Sequence, residues 1–164
     1  EAPTGTGVVA APATYQVDGR QYVSIAVGWG GVYGLAARHS DRAGPGTVYT
    51  FALDGKAEPP AFVPYRLNAL LAGVKYDPAH VQEGTAIYVS NCAFCHGVPG
   101  VDRGGNIPNL GYSKAETITQ IDKWLFDGVA KDRGMPDFNG KLKREDAEKL
   151  KAFIQGTADA VRPK

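Results

Sequence analysis

The pentapeptide Cys92-Ala93-Phe94-Cys95-His96 holds both cysteines of the 164-residue chain, with a histidine directly after the second one. This Cys-x-x-Cys-His order is the attachment motif of a c-type haem. Each thiol can add to one vinyl group of the haem, and His96 then follows in the chain as the proximal ligand of the iron. The motif therefore predicts one covalent haem c, attached through Cys92 and Cys95.

Three other uses of these residues stay open at this point. A disulfide between Cys92 and Cys95 would leave His96 without a role, and a thioredoxin-like redox pair would need a βαβ context that is not found nearby. A structural zinc ion needs four ligands, and only His39 and His80 remain to complete the set. Neither of those two histidines has the spacing of a paired ligand.

Met135 is the only methionine of the chain and lies in Arg133-Gly134-Met135-Pro136, between the second and third predicted helices. Methionine usually fills gaps inside apolar stripes, so a glycine-proline loop is an odd place for it as core filler. A thioether opposite His96 favours ferrous iron and raises the reduction potential, as an electron carrier requires. Met135 is therefore predicted as the second axial ligand, in preference to His39 or His80. The alternative is a solvent-shielded loop methionine.

Further residues are candidates for the haem pocket. The second ring nitrogen of His96 needs an acceptor, and Pro108 is the best candidate to offer its carbonyl, with Ile107 and Leu110 as apolar cover. The indole N–H of Trp124 could donate to a haem propionate, or Trp124 could be plain helix core. Arg103 and Arg133 could pair with propionates, although ordinary solvated surface is the better explanation for both. Tyr112 is a further candidate for the pocket.

Composition limits the kinds of partner and the compartment. Eighteen basic and seventeen acidic residues leave a net charge of +1, so neither nucleic acid nor an anionic membrane is expected as a partner. The chain has no apolar run long enough to span a bilayer, and Glu1-Ala2-Pro3 lacks the features of a signal peptide, as expected of a mature chain or a fragment. Covalent haem is assembled outside the bacterial cytoplasm, so a periplasmic or otherwise exported protein is expected.

The pattern of apolar and turn-forming residues changes twice along the chain, which predicts three regions. Residues 1–55 predict a β segment: a hairpin over 14–27 that turns at Asp18-Gly19, and a third strand over 47–53. Three such strands cannot cover their own apolar faces and need a partner surface. Residues 56–75 are predicted as a proline-containing linker that packs along a surface. Residues 76–164 are predicted as a helical domain.

Three helices are predicted in this domain. Asp77 and Pro78 suit the start of the first. A capping box from Ser113 to Glu116 opens the second, and Gly128 ends it. The third runs from about Arg144 to Gln155, with Glu145 placed to support Lys149. Helical periodicity predicts which residues of each helix face the core. They are Val81, Gly84, Tyr88 and Val89 in the first helix, Ile118, Ile121, Trp124 and Leu125 in the second, and Ala147, Leu150, Phe153 and Ile154 in the third.

With these residues in place, Tyr76 to Gly156 resembles a class I cytochrome c domain. In that family the first and last helices cross at a glycine and an aromatic pair. Gly84 and Tyr88 match the first side of this crossing, and Leu150 and Phe153 match the second. The Met135 loop and the stretch Pro108-Asn109-Leu110 match as well. The resemblance implies a mainly α fold around covalent haem, preceded here by a short antiparallel β segment of about three strands.

The first part of the chain is similar to the end of the eight-bladed propeller of pyrroloquinoline quinone (PQQ) dependent alcohol dehydrogenases, in residues 15–23, 28–31 and 48–55. In the quinohaemoprotein branch of that family a linker and a C-terminal cytochrome c follow, which is the order seen here. The resemblance implies that Trp29 corresponds to a tryptophan close to the quinone. It also implies that PQQ, calcium and the catalytic aspartate belong to a propeller that is mostly absent from this sequence.

The leading hypothesis is electron transfer from a PQQ-dependent alcohol dehydrogenase active site, through the haem, to a soluble acceptor such as a cytochrome or a blue copper protein. No alcohol oxidation is expected from this chain alone. The alternative is a small-ligand-binding or peroxidatic haem protein in which Met135 is displaced. A third hypothesis is that the β segment is a docking module, anchored by the cytochrome, that packs on a propeller domain or mediates self-association.

Overall fold

The computed structural model describes residues 2–28, 46–59, 61, 66–102 and 107–163. The chain divides into two compact units, one drawn mainly from Glu1–Arg66 and the other from Leu67–Arg103 and Ile107–Lys164. The first contains a three-stranded antiparallel sheet and the second contains five short or medium α-helices among its described residues. The predicted mainly α architecture, preceded by a short antiparallel β segment, is confirmed.

The sheet consists of β1 (Ala13–Val17), β2 (Arg20–Val27) and β3 (Thr47–Ala52), in the spatial order β1-β2-β3. Asp18 and Gly19 connect β1 to β2 with positive φ angles of 51° and 74°. Two successive positive φ angles are the geometry of a two-residue hairpin turn whose twist matches that of the strands. The hairpin and the third strand are therefore where the sequence predicts them.

The β unit has almost no core of its own. Among its described residues only Val27 is buried, while Leu53 just after β3 is 99% exposed. Cross-strand contacts supply local support, such as the stacked rings of Tyr15 and Tyr22 with centroids 5.6 Å apart. Three strands with so few buried side chains among their described residues are marginally stable in water, as expected of a segment that packs on a partner surface.

The helical unit opens with a 3-10 turn at Pro78–His80, where the Asp77 carboxylate accepts a hydrogen bond from the Ala79 N–H at 2.9 Å. The α-helices that follow are α1 (Val81–Asn91), α2 (Ala93–His96), α3 (Ala115–Thr119), α4 (Ile121–Phe126) and α5 (Asp146–Ala160). Two further 3-10 turns lie at Leu110–Tyr112 and Lys131–Arg133. None of the described helices is both long and apolar enough to cross a membrane.

Helices α1 and α5 cross at very short range. A Cβ atom added at Gly84 of α1 would lie 2.0 Å from the backbone oxygen of Lys149 in α5. One turn further along α1, the rings of Tyr88 and Phe153 meet with their centroids 4.8 Å apart. Tyr88 and Leu150 belong to the buried apolar cluster of this unit. The crossing fixes the end of α1, from which the Cys-x-x-Cys-His motif continues.

An extended segment before α1 is held against the helical unit by polar contacts. The N–H of Leu71 donates to the Gly111 carbonyl at 2.8 Å, and the N–H of Val74 donates to Gln155 Oε1 at 3.1 Å. Gln155 Nε2 in turn donates to the Leu71 carbonyl at 3.2 Å. Leu71 and Val74 are buried in the apolar cluster. The segment is therefore stabilised by burial and by satisfied backbone groups.

The prediction of the second helix is wrong in two details. The helix is broken at Gln120, whose φ and ψ of −103° and 30° are not helical. Its N-cap is Lys114, which makes no capping hydrogen bond with its side chain. Ser113 lies one residue before the cap and ends the preceding 3-10 turn, while the Lys114 carbonyl accepts the first bond of the helix, from the Thr117 N–H at 3.0 Å.

Two predictions about the outer helices are also wrong. Val89 is 61% exposed, because the buried stripe of α1 consists of Gly84 and Tyr88. Lys149 pairs with Glu83 Oε2 at 2.8 Å and Asp146 Oδ1 at 3.4 Å, and not with Glu145. Helix α5 begins at Asp146 and continues to Ala160, with Glu145 as its N-cap. The Glu145 carboxylate instead lies 3.7 Å from Lys143 Nζ.

Candidate haem-binding site

The residues of the Cys-x-x-Cys-His motif share one turn of backbone. Cys92 ends α1 with φ −124° and ψ −36°, and its carbonyl accepts hydrogen bonds from Cys95 N–H at 3.1 Å and His96 N–H at 2.9 Å. Gly97, at φ +68°, then ends α2. Residues three and four positions apart lie on the same face of a helix. The two thiols and the imidazole are therefore presented from one side of this turn.

His96 is oriented by a backbone carbonyl. Its Nδ1 lies 2.8 Å from the Pro108 oxygen, so the neutral ring donates its Nδ1 proton to that carbonyl. Nε2 is then the unprotonated nitrogen, and it has no hydrogen-bond partner among the described residues. Burial lowers the pKa of His96, although the hydrogen bond to Pro108 acts in the opposite direction. A neutral imidazole with one nitrogen fixed and the other open is the form that ligates metals.

The two cysteines are free thiols in different surroundings. Cys92 is buried and Cys95 is partly buried. Burial raises the pKa of Cys92 to about 11, the neighbouring Cys95 adds to the rise, and Lys141 opposes it. Cys92 is therefore shielded from the solvent by the apolar cluster to which it belongs.

The Met135 loop is anchored at both ends. The 3-10 turn at Lys131–Arg133 ends at Gly134, which has φ +88°, and the N–H of Met135 donates to the Ala130 carbonyl at 3.1 Å. Three residues later the N–H of buried Phe138 donates to the Leu125 carbonyl at 3.1 Å. Met135 is partly buried and packs against the same apolar cluster that contains Cys92. The loop therefore holds the thioether within the helical unit.

Asn109 was not predicted as a site residue, although it is 2% exposed and connects two loops of the site. Its Oδ1 accepts hydrogen bonds from Gly100 N–H at 3.0 Å and Gly111 N–H at 2.9 Å. Its Nδ2 donates to the Val98 carbonyl at 2.8 Å. An asparagine directly before a short helical turn is a local signal for such side-chain capping. The contacts to residues 98 and 100 have no comparable local signal.

Other side chains hold the loop that follows the motif. The Tyr88 hydroxyl donates to the Gly97 carbonyl at 2.9 Å, and the Tyr112 hydroxyl donates to the Gly100 carbonyl at 3.1 Å. The Asp102 carboxylate accepts a hydrogen bond from the Val98 N–H at 2.7 Å. This loop lacks regular secondary structure, so its backbone groups are satisfied by side chains instead.

The remaining predicted pocket residues occupy varied positions. Leu110 packs against the apolar cluster, Ile107 is partly buried, and Pro108 is exposed apart from its carbonyl contact with His96. Trp124 is half-buried, with no hydrogen-bond partner for its indole N–H among the described residues, and Arg133 is exposed. The hydroxyl of Tyr112 donates its hydrogen bond to the Gly100 carbonyl. Three residues named in the sequence analysis lie outside the described residues: Trp29, His39 and Arg103.

The donor set fits a covalently attached haem. Two thiols and an imidazole lie on one turn, and a partly buried thioether lies in the same unit. Within the described ranges no three His, Cys, Asp or Glu side chains are grouped as ligands for a bare metal ion. His80, a zinc candidate in the sequence, lies in the 3-10 turn before α1. In a bound haem c, thioether attachment and axial ligation would together use the two thiols, the imidazole and the thioether of the site.

Comparison with known proteins gives a consistent result. Residues 79–154 match the family model described as cytochrome c oxidase, cbb3-type, subunit III. The whole chain is 71% identical over 164 residues to a quinohemoprotein alcohol dehydrogenase of Comamonas testosteroni, covering 23% of that protein. It is 69% identical over 163 residues to a 1-butanol dehydrogenase (cytochrome c) of Thauera butanivorans, covering 99% of this chain and 24% of that protein.

The fold agrees with a solved structure. The crystal structure of quinohemoprotein alcohol dehydrogenase from Comamonas testosteroni matches 99% of this chain with a TM-score of 0.84 and 68% sequence identity. That match covers 23% of the solved chain. The present chain thus spans about a quarter of the length of the curated relatives that it matches. The similarity includes the β unit as well as the helical unit.

Proposed function

Because residues 79–154 form a cytochrome c domain of the cbb3-type family, we propose that the chain transfers electrons through one haem c attached to Cys92 and Cys95, with His96 and Met135 as the axial ligands. The bound haem supplies a one-electron couple between ferrous and ferric iron. The chain's own residues supply the attachment, the two axial donors and a pocket that limits the access of water.

The observation that carries this proposal is the geometry of His96. His96 lies on the same turn as both thiols, and its Nδ1 is held 2.8 Å from the Pro108 carbonyl oxygen. Nε2 is therefore the nitrogen whose lone pair is available to a metal. A hydrogen bond to the outer nitrogen of a ligating histidine fixes the ring orientation and strengthens the ring as a donor. A redox disulfide would give this arrangement no function, and a zinc ion would need a grouped ligand set, which is not found among the described residues.

The anchored loop around Met135 supports a permanent second ligand. The N–H of Met135 is bonded to Ala130, and Phe138 is buried at the other end of the loop. A thioether held in this way favours ferrous iron and raises the reduction potential. Both properties belong to an electron carrier.

The test is the absorption spectrum of the haem-loaded chain and of Met135→Ala. The wild-type chain is expected to show a low-spin spectrum with a weak sulfur-to-iron band at the red end, and intact mass is expected to show one haem. Met135→Ala is expected to lose that band and become high-spin. Val129→Ala, which alters an exposed apolar residue nearby, is the control and is expected to match the wild type.

An unchanged spectrum in Met135→Ala would contradict the assignment of the ligand. Carbon monoxide separates the carrier from the ligand-binding alternative. The reduced wild-type chain is expected not to bind it without denaturant, whereas Met135→Ala is expected to bind it. Ready binding by the wild type would favour a small-ligand-binding or peroxidatic protein with a displaceable methionine.

We further propose that the electrons come from a PQQ-dependent alcohol dehydrogenase active site and pass to a soluble acceptor. The proposal is supported by two relatives of the chain, a quinohemoprotein alcohol dehydrogenase and a 1-butanol dehydrogenase (cytochrome c). The sheet of the β unit supports it as well, because its described residues include only one buried side chain, and a sheet of this kind would pack on a propeller blade or a second copy. Because covalent haem is assembled outside the bacterial cytoplasm, the proposal includes a periplasmic location.

Two measurements test this part of the proposal. Stopped-flow mixing of the reduced chain with a blue copper protein or a second cytochrome is expected to show rapid oxidation of the haem. The β unit is expected to self-associate or to bind a PQQ-dehydrogenase propeller domain, which sedimentation velocity can detect. Slow oxidation by every acceptor of either class would contradict transfer to a soluble partner. A chain that sediments as a monomer both alone and with the propeller domain would contradict the docking role.

A further inference from the structure

Asn109 is one of three buried polar or charged side chains in the described part of the chain, together with Asp102 and Gln155. Both ends of its amide bind the backbone, through Gly100 N–H, Gly111 N–H and the Val98 carbonyl. Burying an amide is unfavourable unless its hydrogen bonds are made. The amide is thus satisfied by two loops at once.

The two loops joined by Asn109 are the two that determine the environment of His96. Residues 97–102 follow the motif directly, and residues 107–112 carry the carbonyl that accepts the Nδ1 proton. The backbones approach so closely that a Cβ atom at Gly111 would lie 2.0 Å from Gly100 N. A small rotation of either loop would therefore move the carbonyl relative to the ring.

The link from Asn109 to that carbonyl is direct. The Pro108 C=O and the Asn109 N–H belong to one peptide unit, which is planar. Asn109 itself has φ −74° and ψ 126°, and its side chain closes onto the Gly111 N–H. Fixing the side chain of Asn109 at three points therefore fixes the plane in which the Pro108 oxygen lies.

We propose that Asn109 is a positioning residue, which holds the Pro108 carbonyl against His96 Nδ1 and so sets the strength of the imidazole as an iron ligand. The inference rests on the proposed function, in which His96 ligates the iron of a covalent haem. Pro108 is exposed, so water can replace its carbonyl at Nδ1 once the loop is free to move. A looser hydrogen bond makes the imidazole a weaker donor and destabilises the ferric state.

The experiment compares Asn109→Leu with Gln155→Leu in the full haem-loaded chain. Gln155 is a matched control, because it is 1% exposed and its amide also makes three hydrogen bonds, to Val74 N–H, the Leu71 carbonyl and Asp159. None of those partners belongs to the loops around His96. Both variants lose a satisfied buried amide, but only Asn109→Leu frees the Pro108 carbonyl.

The first readout is the solvent exchange of the His96 Nδ1 proton, followed by nitrogen-edited NMR in the diamagnetic ferrous state. The exchange of the Ile154 amide, in the fully buried part of α5, reports global opening of the domain. In Asn109→Leu the Nδ1 proton is expected to exchange at least about tenfold faster relative to the Ile154 amide than in the wild type. In Gln155→Leu this ratio is expected to stay within about twofold of the wild type.

The second readout is the redox equilibrium. At a fixed potential the ferric-to-ferrous ratio of Asn109→Leu is expected to fall at least about threefold below that of the wild type. That of Gln155→Leu is expected to be unchanged. If Asn109→Leu does not accumulate as holoprotein, Asn109→Asp replaces it, since it retains the acceptor for Gly100 and Gly111 and loses the donor to Val98. In Asn109→Asp the exchange of the Nδ1 proton relative to the Ile154 amide is expected to increase at least about threefold.

The outcomes separate the positioning role from the proposed function. Equal rises of Nδ1 and Ile154 exchange in Asn109→Leu would show a purely structural asparagine and overturn the inference, as would an unchanged ratio in every Asn109 variant. A wild-type chain that carries no haem, or whose His96 does not ligate iron, would overturn the proposed function itself. If the wild type has a normal low-spin spectrum but the Asn109 variants do not meet the exchange criteria, only the role of Asn109 is overturned.

Discussion

Substitution of Gly84 by alanine tests the close crossing of α1 and α5. The added Cβ would meet the Lys149 oxygen at 2.0 Å, the Lys149 carbonyl carbon at 2.7 Å and the Phe153 Cβ at 3.0 Å. Two of these atoms are backbone, which cannot rotate away as a side chain can. The two helices would therefore have to separate by roughly 1 Å in a densely packed interior.

The size of the effect follows from two opposing terms. Overpacking a core costs about 1–3 kcal/mol, and a clash with helix backbone belongs at the upper end of that range. Alanine is more favourable than glycine inside a helix by about 1 kcal/mol. The net loss in the free energy of unfolding is expected to be about 2 kcal/mol. For a domain of this size that corresponds to a melting temperature lowered by roughly 10 °C.

The assay is guanidinium denaturation of the haem-loaded chain, followed by far-ultraviolet circular dichroism. Gly156→Ala is the matched control, since Gly156 is also helical, in α5, and its added Cβ meets only side chains, Val81 Cγ2 at 3.3 Å and Tyr76 Oη at 3.5 Å. The control is expected to be neutral or to gain up to about 1 kcal/mol. A stability of Gly84→Ala within about 0.5 kcal/mol of the wild type would refute the close crossing.

Two further substitutions test contacts of α1. Tyr88→Phe leaves the buried Gly97 carbonyl without its donor and is expected to lower the free energy of unfolding by about 1–2 kcal/mol in the same assay; no change would mean that the loop after the motif is held by other contacts. Lys149, mainly through its hydrogen bond, holds the pKa of the Glu83 carboxyl below its usual value. The native state therefore binds fewer protons at that site than the unfolded state, so the ion pair stabilises the chain above the usual carboxyl pKa, and this stabilisation is lost as pH falls through the lowered value. Wild type and Glu83→Gln should accordingly differ in denaturation midpoint at pH 7 and converge in acid, once the pH is below the lowered pKa of Glu83; a difference that persists in acid would contradict the pairing.

Local signals in the sequence predicted the fold well. The Asp18-Gly19 turn, the third strand and the Asp77 cap each depend on a few neighbouring residues, and each is present. The spacing of Gly84 and Tyr88 indicated the buried face of α1, because helical periodicity directly reports which residues face the core. The His96 to Pro108 hydrogen bond was also expected, since a ligating histidine needs an acceptor for its outer nitrogen.

The features that the sequence did not predict depend on partners distant in the chain or on competing local bonds. Lys149 pairs with Glu83 of another helix, which no spacing within α5 could indicate. Ser113 is a residue type that caps helices, but the helix begins one residue later than expected, and Ser113 ends the preceding turn instead. Asn109 and Gln155 look like ordinary polar residues until the segments they join are placed side by side. The attachment, axial and pocket roles of individual residues stay predictions, which the spectra and variants above test.

The distribution of buried polar groups indicates where this fold needs rigidity. Of the three buried polar or charged side chains in the described residues, Asp102 and Asn109 both bind the loop of residues 97–102, and the hydroxyls of Tyr88 and Tyr112 bind it as well. Each buried polar group must make its hydrogen bonds, or it destabilises the fold by about 1–3 kcal/mol. An apolar core would avoid that risk, but it would not fix the direction of a carbonyl. The bond from Pro108 to His96 needs such a direction, because the lone pairs of the acceptor must face Nδ1. The polar side chains around this irregular loop therefore give the orientation that regular secondary structure supplies elsewhere in the domain.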